Sequence, residues 1–249
     1  MTRLFAAFGL VLMLAGCAAV PKLSASDADR VQGGRSAVLF VDDVAQINYL
    51  QDKYYVLAVT QEGSTSVYKG IWNSSKDLSA VNADEFSKLG LKAKSAYEIF
   101  SEQDLARLTQ QDKIRFTMQS RPPVGGAGAP AAQGVAPELR QALLDKGQDY
   151  LIWASWSGYT LHIQTLGLPP NEQFQLRYWI VDLKQNKVLG GGDVGWLHSV
   201  DLAGQTGKDF LEKDNLAGFR AQVEKQIRAR FKDPPKPTVG TVLGLKEPA

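Results

Sequence analysis

A single cysteine in 249 residues, at position 17, sets the terms on which this chain folds. No disulfide is open to it and no thiolate cluster can hold a metal, so the fold must stand on its apolar core alone. Hydrophobic residues make up 44% of the sequence and charged residues 22%. That is an ordinary globular balance, and the length suits one large domain. Lys and Arg number 28 against 26 Asp and Glu, a net charge of +2. Removing Arg3 leaves the chain all but neutral, which argues against a nucleic-acid partner.

The cysteine ends an apolar leader. Arg3 is the only charged residue before Lys22, and residues 4–14 are apolar except for Gly9. A membrane-spanning helix needs about 20 such residues, so the run reads as a secretory signal covering residues 1–16. The small residues Ala15 and Gly16 lead directly into Cys17. The stretch Leu14, Ala15, Gly16, Cys17 resembles the lipobox of bacterial lipoproteins. That resemblance implies cleavage before Cys17, a diacylglycerol on its thiol and acylation of the new amino terminus. Each buried CH₂ contributes about 0.8 kcal/mol; one chain binds marginally, and two or three make a lasting anchor. Where enterobacterial lipoproteins carry a retention Asp, this chain has Ala18. The resemblance therefore implies the periplasmic side of the outer membrane. The inner membrane stays open, because the retention rule varies among bacteria. Residues 17–35 are small and polar and are expected to be a flexible spacer between lipid and body.

The body is expected over residues 36–232. Residues 37–41 are continuously apolar, as in a buried central strand. Residues 54–59 and 67–72 are expected to pair as a hairpin. Asn82 is expected to cap a helix that Gly90 closes, and Ser101 to cap the next. Residues 91–99 and 114–118 read as strands, the latter from its alternation. The Pro- and Gly-rich residues 120–135 are expected to be a mobile loop. Pro137, Leu139, Leu143 and Gly147 outline a short helix. Three strands follow. The second alternates most clearly, with Phe174, Leu176, Tyr178 and Ile180 on one face and Gln173, Gln175, Arg177 and Trp179 on the other. It forms an antiparallel hairpin with residues 188–196. Leu216, Phe219, Val223, Ile227 and Phe231 then stripe a long helix that starts near Asn215. Residues 233–249 are expected to be a disordered tail. The order predicts an α/β (or α+β) layered sandwich with a mixed β-sheet, an antiparallel C-terminal hairpin and a long C-terminal helix.

Residues 145–158 (DKGQDYLIWASWSG) and 175–193 (QLRYWIVDLKQNKVLGGGD) are similar to lipoproteins of the curli-secretion and penicillin-binding-protein-activator type. The similarity covers roughly residues 136–232. It implies a compact periplasmic α/β domain that works by touching other proteins.

Few groups point to chemistry. Asp42 and Asp43 end the first strand but point to opposite faces, so they are not a paired acid and base; they are expected to cap the next turn. His162 and His198 are the only histidines. Ser155 and Ser157 lie nearby in sequence without a nucleophile-elbow pattern, and no metal-ligand spacing involves either histidine. Gly190, Gly191 and Gly192 lack the Lys and Ser or Thr of a phosphate loop. They are expected to mark a bulge or a bare patch under a close neighbour. No cofactor and no metal are expected. Trp153, Trp156, Tyr159, Trp179 and Trp196 crowd the C-terminal strands, mostly as core filling, with Trp179 expected to be exposed.

The leading expectation is a non-enzymatic accessory factor in envelope assembly or maintenance. It touches membrane lipid through acylated Cys17 and a protein partner through Gln175, Arg177 and Trp179. The alternative is a peptidoglycan or other glycan binder that stacks sugars on Trp153, Trp179 or Trp196. A serine–histidine hydrolase is the third.

Overall fold

A computed structural model describes residues 22–42, 45–55, 58–117, 134–164, 168–202, 204, 206–232 and 237–246. The leader, Cys17 and nearly all of the expected 120–135 loop lie outside these residues. The chain enters as helix α1 (Ala25–Gly33), then strands β1 (Arg35–Val41), β2 (Gln46–Tyr55) and β3 (Ala58–Val67). Helix α2 (Ser74–Lys88), strand β4 (Lys92–Ser95) and helices α3 (Ala96–Ile99), α4 (Glu102–Thr117) and α5 (Pro137–Asp145) follow. Strands β5 (Tyr150–Ile163), β6 (Asn171–Asp182) and β7 (Lys187–Ser199) lead to helices α6 (Gly207–Glu212), α7 (Ala217–Lys232) and α8 (Val239–Leu243).

The seven strands form one mixed sheet built around β5. Along one edge β5 pairs antiparallel with β6, which pairs antiparallel with β7. Along the other edge β5 pairs parallel with β1 over its first half and with β2 over its second. β4 lies beyond β1, and β3 beyond β2. The expected mixed sheet, antiparallel C-terminal strands and long C-terminal helix are all present.

Helices cover both faces. The larger core joins Val38, Phe40, Ile152, Ala154, Leu176 and Tyr178 of the sheet to α1, α2, α7 and α8. All five stripe residues, Leu216 just before α7 and the other four within it, are buried in this core. Phe219 meets the rings of Tyr68, Trp72 and Tyr159 at centroid distances of 6.0, 5.6 and 4.7 Å. The smaller core packs Leu39, Trp153, Trp179 and Val181 against α3, α4 and α5.

Two irregularities let both cores run the length of the sheet. β5 carries one extra residue between Trp156 and Tyr159 relative to β6. This bulge, with Gly158 at φ 107°, resets the alternation. Tyr159, which unbroken alternation would set on the Trp153 face, therefore joins Trp156 in the larger core. Beside it, Asp42 ends β1; its carboxylate accepts the Ala45 N–H at 2.9 Å and the Ser74 hydroxyl at 2.6 Å, and the Tyr68 hydroxyl also donates to it. β4 stops opposite Val38. Further along β1, Ser79 of α2 accepts the Phe40 N–H at 2.8 Å and Ser75 that of Asp42 at 3.1 Å. Side chains thus replace the missing ladder bonds.

Several segments differ from the sequence reading. Residues 25–33, expected to be spacer, form α1, because Ala28 and Val31, three residues apart, are both buried. Arg30 ties α1 to the buried Asp182 at 2.7 Å. The expected disordered tail contains α8, with Val239 and Leu243 buried and the Leu243 carbonyl accepting the Leu23 N–H at 3.0 Å. Asn73, not Asn82, caps α2, its side chain accepting the Lys76 N–H at 3.1 Å. Asn82 is buried in mid-helix, where its side-chain oxygen accepts the Tyr178 hydroxyl at 2.7 Å. Residues 114–117 extend α4 rather than forming a strand, and residues 96–99 are helical. The hairpin pairs β2 with β3 instead: Tyr54 faces Val59, Val67 ends β3 opposite Gln46, and the residues after it turn into α2.

The glycine run follows a bulge at Leu189 and lies beneath close neighbours. The ladder shifts between Ile180 and Val181, a Cβ on Gly191 would lie 2.5 Å from the Trp179 ring, and one on Gly192 would lie 2.3 Å from Val242 of α8. Gly191→Ala is expected to destabilise the fold by about 1–3 kcal/mol, as overpacking does. Gly33→Ala, whose Cβ meets nothing within 4 Å, is expected to stay within about 0.5 kcal/mol of the parent. Thermal unfolding followed by circular dichroism separates the two; equal midpoints would contradict the packing described.

Candidate functional site

The expected contact residues sit on β6 and part company in the structure. β6 alternates as read, but its second face is not simply solvent-facing. Trp179 is 3% exposed, because the smaller core lies over that end of the sheet. There the ring packs with Trp153, opposite it on β5, and covers Gly191. The expectation of an exposed Trp179 is therefore corrected. Two and four residues toward the other end, Arg177 and Gln175 are half-buried. Arg177 donates from Nε and Nη2 to the two oxygens of Asp193 at 2.8 and 3.2 Å, and Gln175 donates to the same carboxylate at 3.0 Å. A bidentate fork of this kind fixes both side chains in plane. The result is a flat, polar patch of two strands, with Ser155 of β5 opposite Arg177.

Trp153 is fully buried, so two of the three rings expected to stack on sugars are inside the protein; the Trp196 side chain lies outside what the structure describes. The histidines are separate from each other. His162 Nε2 lies 2.8 Å from an Asp52 oxygen and 3.2 Å from the Gln61 amide. Ser155 and Ser157 stand on the same strand, seven and five residues back. At about 3.3 Å per residue that is roughly 15–23 Å, too far for a nucleophile and its base. Among the described residues no group of three His, Cys, Asp or Glu side chains is placed to hold a metal.

A second polar group is internal. Glu172 is fully buried in β6. It accepts the Tyr159 hydroxyl at 2.6 Å and the Gln222 amide at 2.8 Å, and lies opposite His198 in the ladder. His198 in turn contacts Arg230 of α7. Burial pushes the Glu172 carboxyl up from its ordinary value, more than Tyr159 and Gln222 stabilise its charge. Burial likewise pushes the Tyr159 phenol up, with the Glu172 charge adding to it. Sequence reasoning passed over Glu172, although parity gave the signal: residue 172 shares the face of Phe174 and Leu176. A further group, Glu85 of α2 with Lys88 and Arg228 at 2.8 and 2.7 Å, staples α2 to α7.

No protein-family model matches the chain, and no curated protein matches it. Among solved structures, lipoprotein GNA1162 from Neisseria meningitidis is 13% identical, covering 78% of this chain and 97% of that one at a TM-score of 0.33. The hypothetical protein CT253 from Chlamydia trachomatis is 14% identical, covering 85% and 99% at 0.38. The LpoB C-terminal domain from Salmonella enterica is 12% identical, covering 66% and 82% at 0.26. Likenesses this distant carry no argument about activity.

The buried carboxyl has a measurable consequence. Its folded-state pKa lies above the ordinary value of 4.5, so the native state holds its proton longer than the unfolded chain. The stability it contributes is complete below pH 4.5 and is lost as pH rises through the folded value. Glu172→Gln is expected to remove that loss. Urea midpoints of parent and variant should diverge as pH rises above 4.5, with the parent falling relative to the variant. Parallel curves would show that burial does not raise the Glu172 pKa on folding.

Proposed function

We propose that this chain is a lipoprotein. Acylated Cys17 holds its α/β body on the periplasmic side of the outer membrane, and the body serves as a protein-binding accessory factor in envelope assembly or maintenance. The lipobox-like stretch ending in Cys17 carries the reading. The fold adds a geometric consequence. The body begins at Leu23, which is buried and bonded to Leu243. Six residues span at most roughly 20 Å, so the end of the molecule bearing α1 and α8 is held close to the lipid. No helix among the described residues is long and apolar enough to cross a membrane, so in this reading attachment falls to the acyl chains.

The contact surface in this reading is the polar patch of Gln175 and Arg177, with Asp193 in place of the buried Trp179. Its groups are orientated by their mutual bonds, which lowers the entropy lost when a partner docks. No catalysis is assigned to the protein.

Cys17→Ser is expected to abolish palmitate labelling and to move the protein from the membrane to the soluble fraction; membrane retention without label would contradict the tether. A photo-crosslinking residue at position 175 is expected to capture a discrete protein adduct in intact cells. Arg177→Glu, which places two carboxylates side by side, is expected to weaken that capture by about tenfold or more, in line with the cost of like-charge contacts. Undiminished capture in Arg177→Glu would remove the patch from the account.

A further inference from the structure

The sheet ends in edges of unequal character. β4 is only four residues long and carries Lys92 and Lys94. β7 is interrupted by a bulge at Leu189, opposite Ile180 and Val181 of β6. Short length, lysines and bulges are the usual means of keeping an edge from pairing. β3 has none of them. It runs ten residues, AVTQEGSTSV, without Lys, Arg or Pro, and its pairing with β2 is unbroken from Ala58 to Val67. Its one charge, Glu62, is met by Lys53 of its own hairpin at 2.7 Å. Residues 59–65 are all exposed, and among the described residues no strand pairs with the outer side of β3.

Its two valines identify the occupant. Val59 and Val67 are 54% and 57% exposed, among the few large apolar residues so placed. They lie on the same face, being an even number of residues apart, and stand four residues either side of Gly63. Suppose β3 of a second copy is laid antiparallel against it with the two-fold axis at Gly63. Val59 then faces the second copy's Val67, and the contact repeats on the other side of the axis. Gln61 faces Thr65, and Glu62 faces Ser64. Moving the axis to residue 62 sets the two glutamates against each other, and moving it to residue 64 faces each Val67 with a Gln61. Only one register therefore pairs the valines and separates the charges, and the pairing is self-complementary, as a two-fold interface requires.

We propose that β3 is a dimerisation edge on which a second copy of this chain adds its own β3, antiparallel about Gly63, so that the two sheets become continuous. The inference is independent of the contact patch on β6 and β7 and does not require it.

The test uses the full processed chain purified in detergent. Sedimentation equilibrium is expected to give a dimer, and Val59→Lys with Val67→Lys to raise its dissociation constant by about tenfold or more, the order expected for opposed like charges, with the circular dichroism spectrum unchanged. Cysteines read the register. Val59→Cys and Val67→Cys are expected to form a disulfide-linked dimer when the two single variants are mixed and oxidised, and not when either is oxidised alone. Within one chain the two positions are roughly 27 Å apart along the strand, beyond the reach of a disulfide. A monomer at all concentrations, a dimer indifferent to the lysine pair, or a position-59 cysteine that links to a different protein would each overturn the proposal.

Discussion

The fold depends on β5 being occupied on four sides at once. Both of its edges are paired and both of its faces are buried, with Leu151, Ile152, Trp153 and Ala154 all fully inside. Such a strand cannot slip by one residue without exchanging its two apolar sets, and here both sets are large. The extra residue at Gly158 is tolerated because it lies where the chain on the neighbouring edge is also interrupted, between β1 and β2. Asp42, Tyr68 and Ser74 close the gap there. The bulge and the break therefore belong together. One lets β5 keep facing the larger core over its full length, and the other lets two successive strands share one edge of it.

A centre closed in this way pushes function outward. Of the aromatic rings that draw attention in the sequence, Trp153, Trp156, Tyr159 and Trp179 are spent on the interior. Trp156 contacts Phe40 and Phe174 edge-on at 5.6 and 6.0 Å, and Trp179 covers Gly191. Acid–base groups are dispersed or internal: His162 pairs with Asp52, and Glu172 is sealed beneath α7. Among the described residues, what remains for contact is the periphery, namely the polar end of β6 and β7 and the outer edge of β3.

Much of this was legible from residue order. The β6 alternation, the stripe from Leu216 to Phe231 and the close approach at the glycine run all follow from local spacing, and each is found. The failures share a different cause. α1 and α8 are short, and each offers only three apolar residues, Ala25, Ala28 and Val31 in one and Val239, Val242 and Leu243 in the other; their helices exist because the core has room for Ala28, Val31, Val239 and Leu243. Residues 114–117 alternate like a strand but continue a helix already begun at Glu102. Asn82 has the chemistry of a cap, yet the Tyr178 hydroxyl recruits it to the interior. Trp179 departs from the expected exposure because alternation names two faces without saying that helices cover the second over part of its length. In each case tertiary packing overrode a weak local preference.

The central claim, that β5 is the last element to let go, is open to direct measurement by native-state amide hydrogen exchange. The amides of Leu151, Ile152, Trp153 and Ala154 are predicted to exchange only through global unfolding, with the full urea dependence of the whole molecule, while those of α1 and α8 open through smaller local events. If these β5 amides exchanged as fast as those of α1, with little dependence on urea, the sheet would not be organised around that strand.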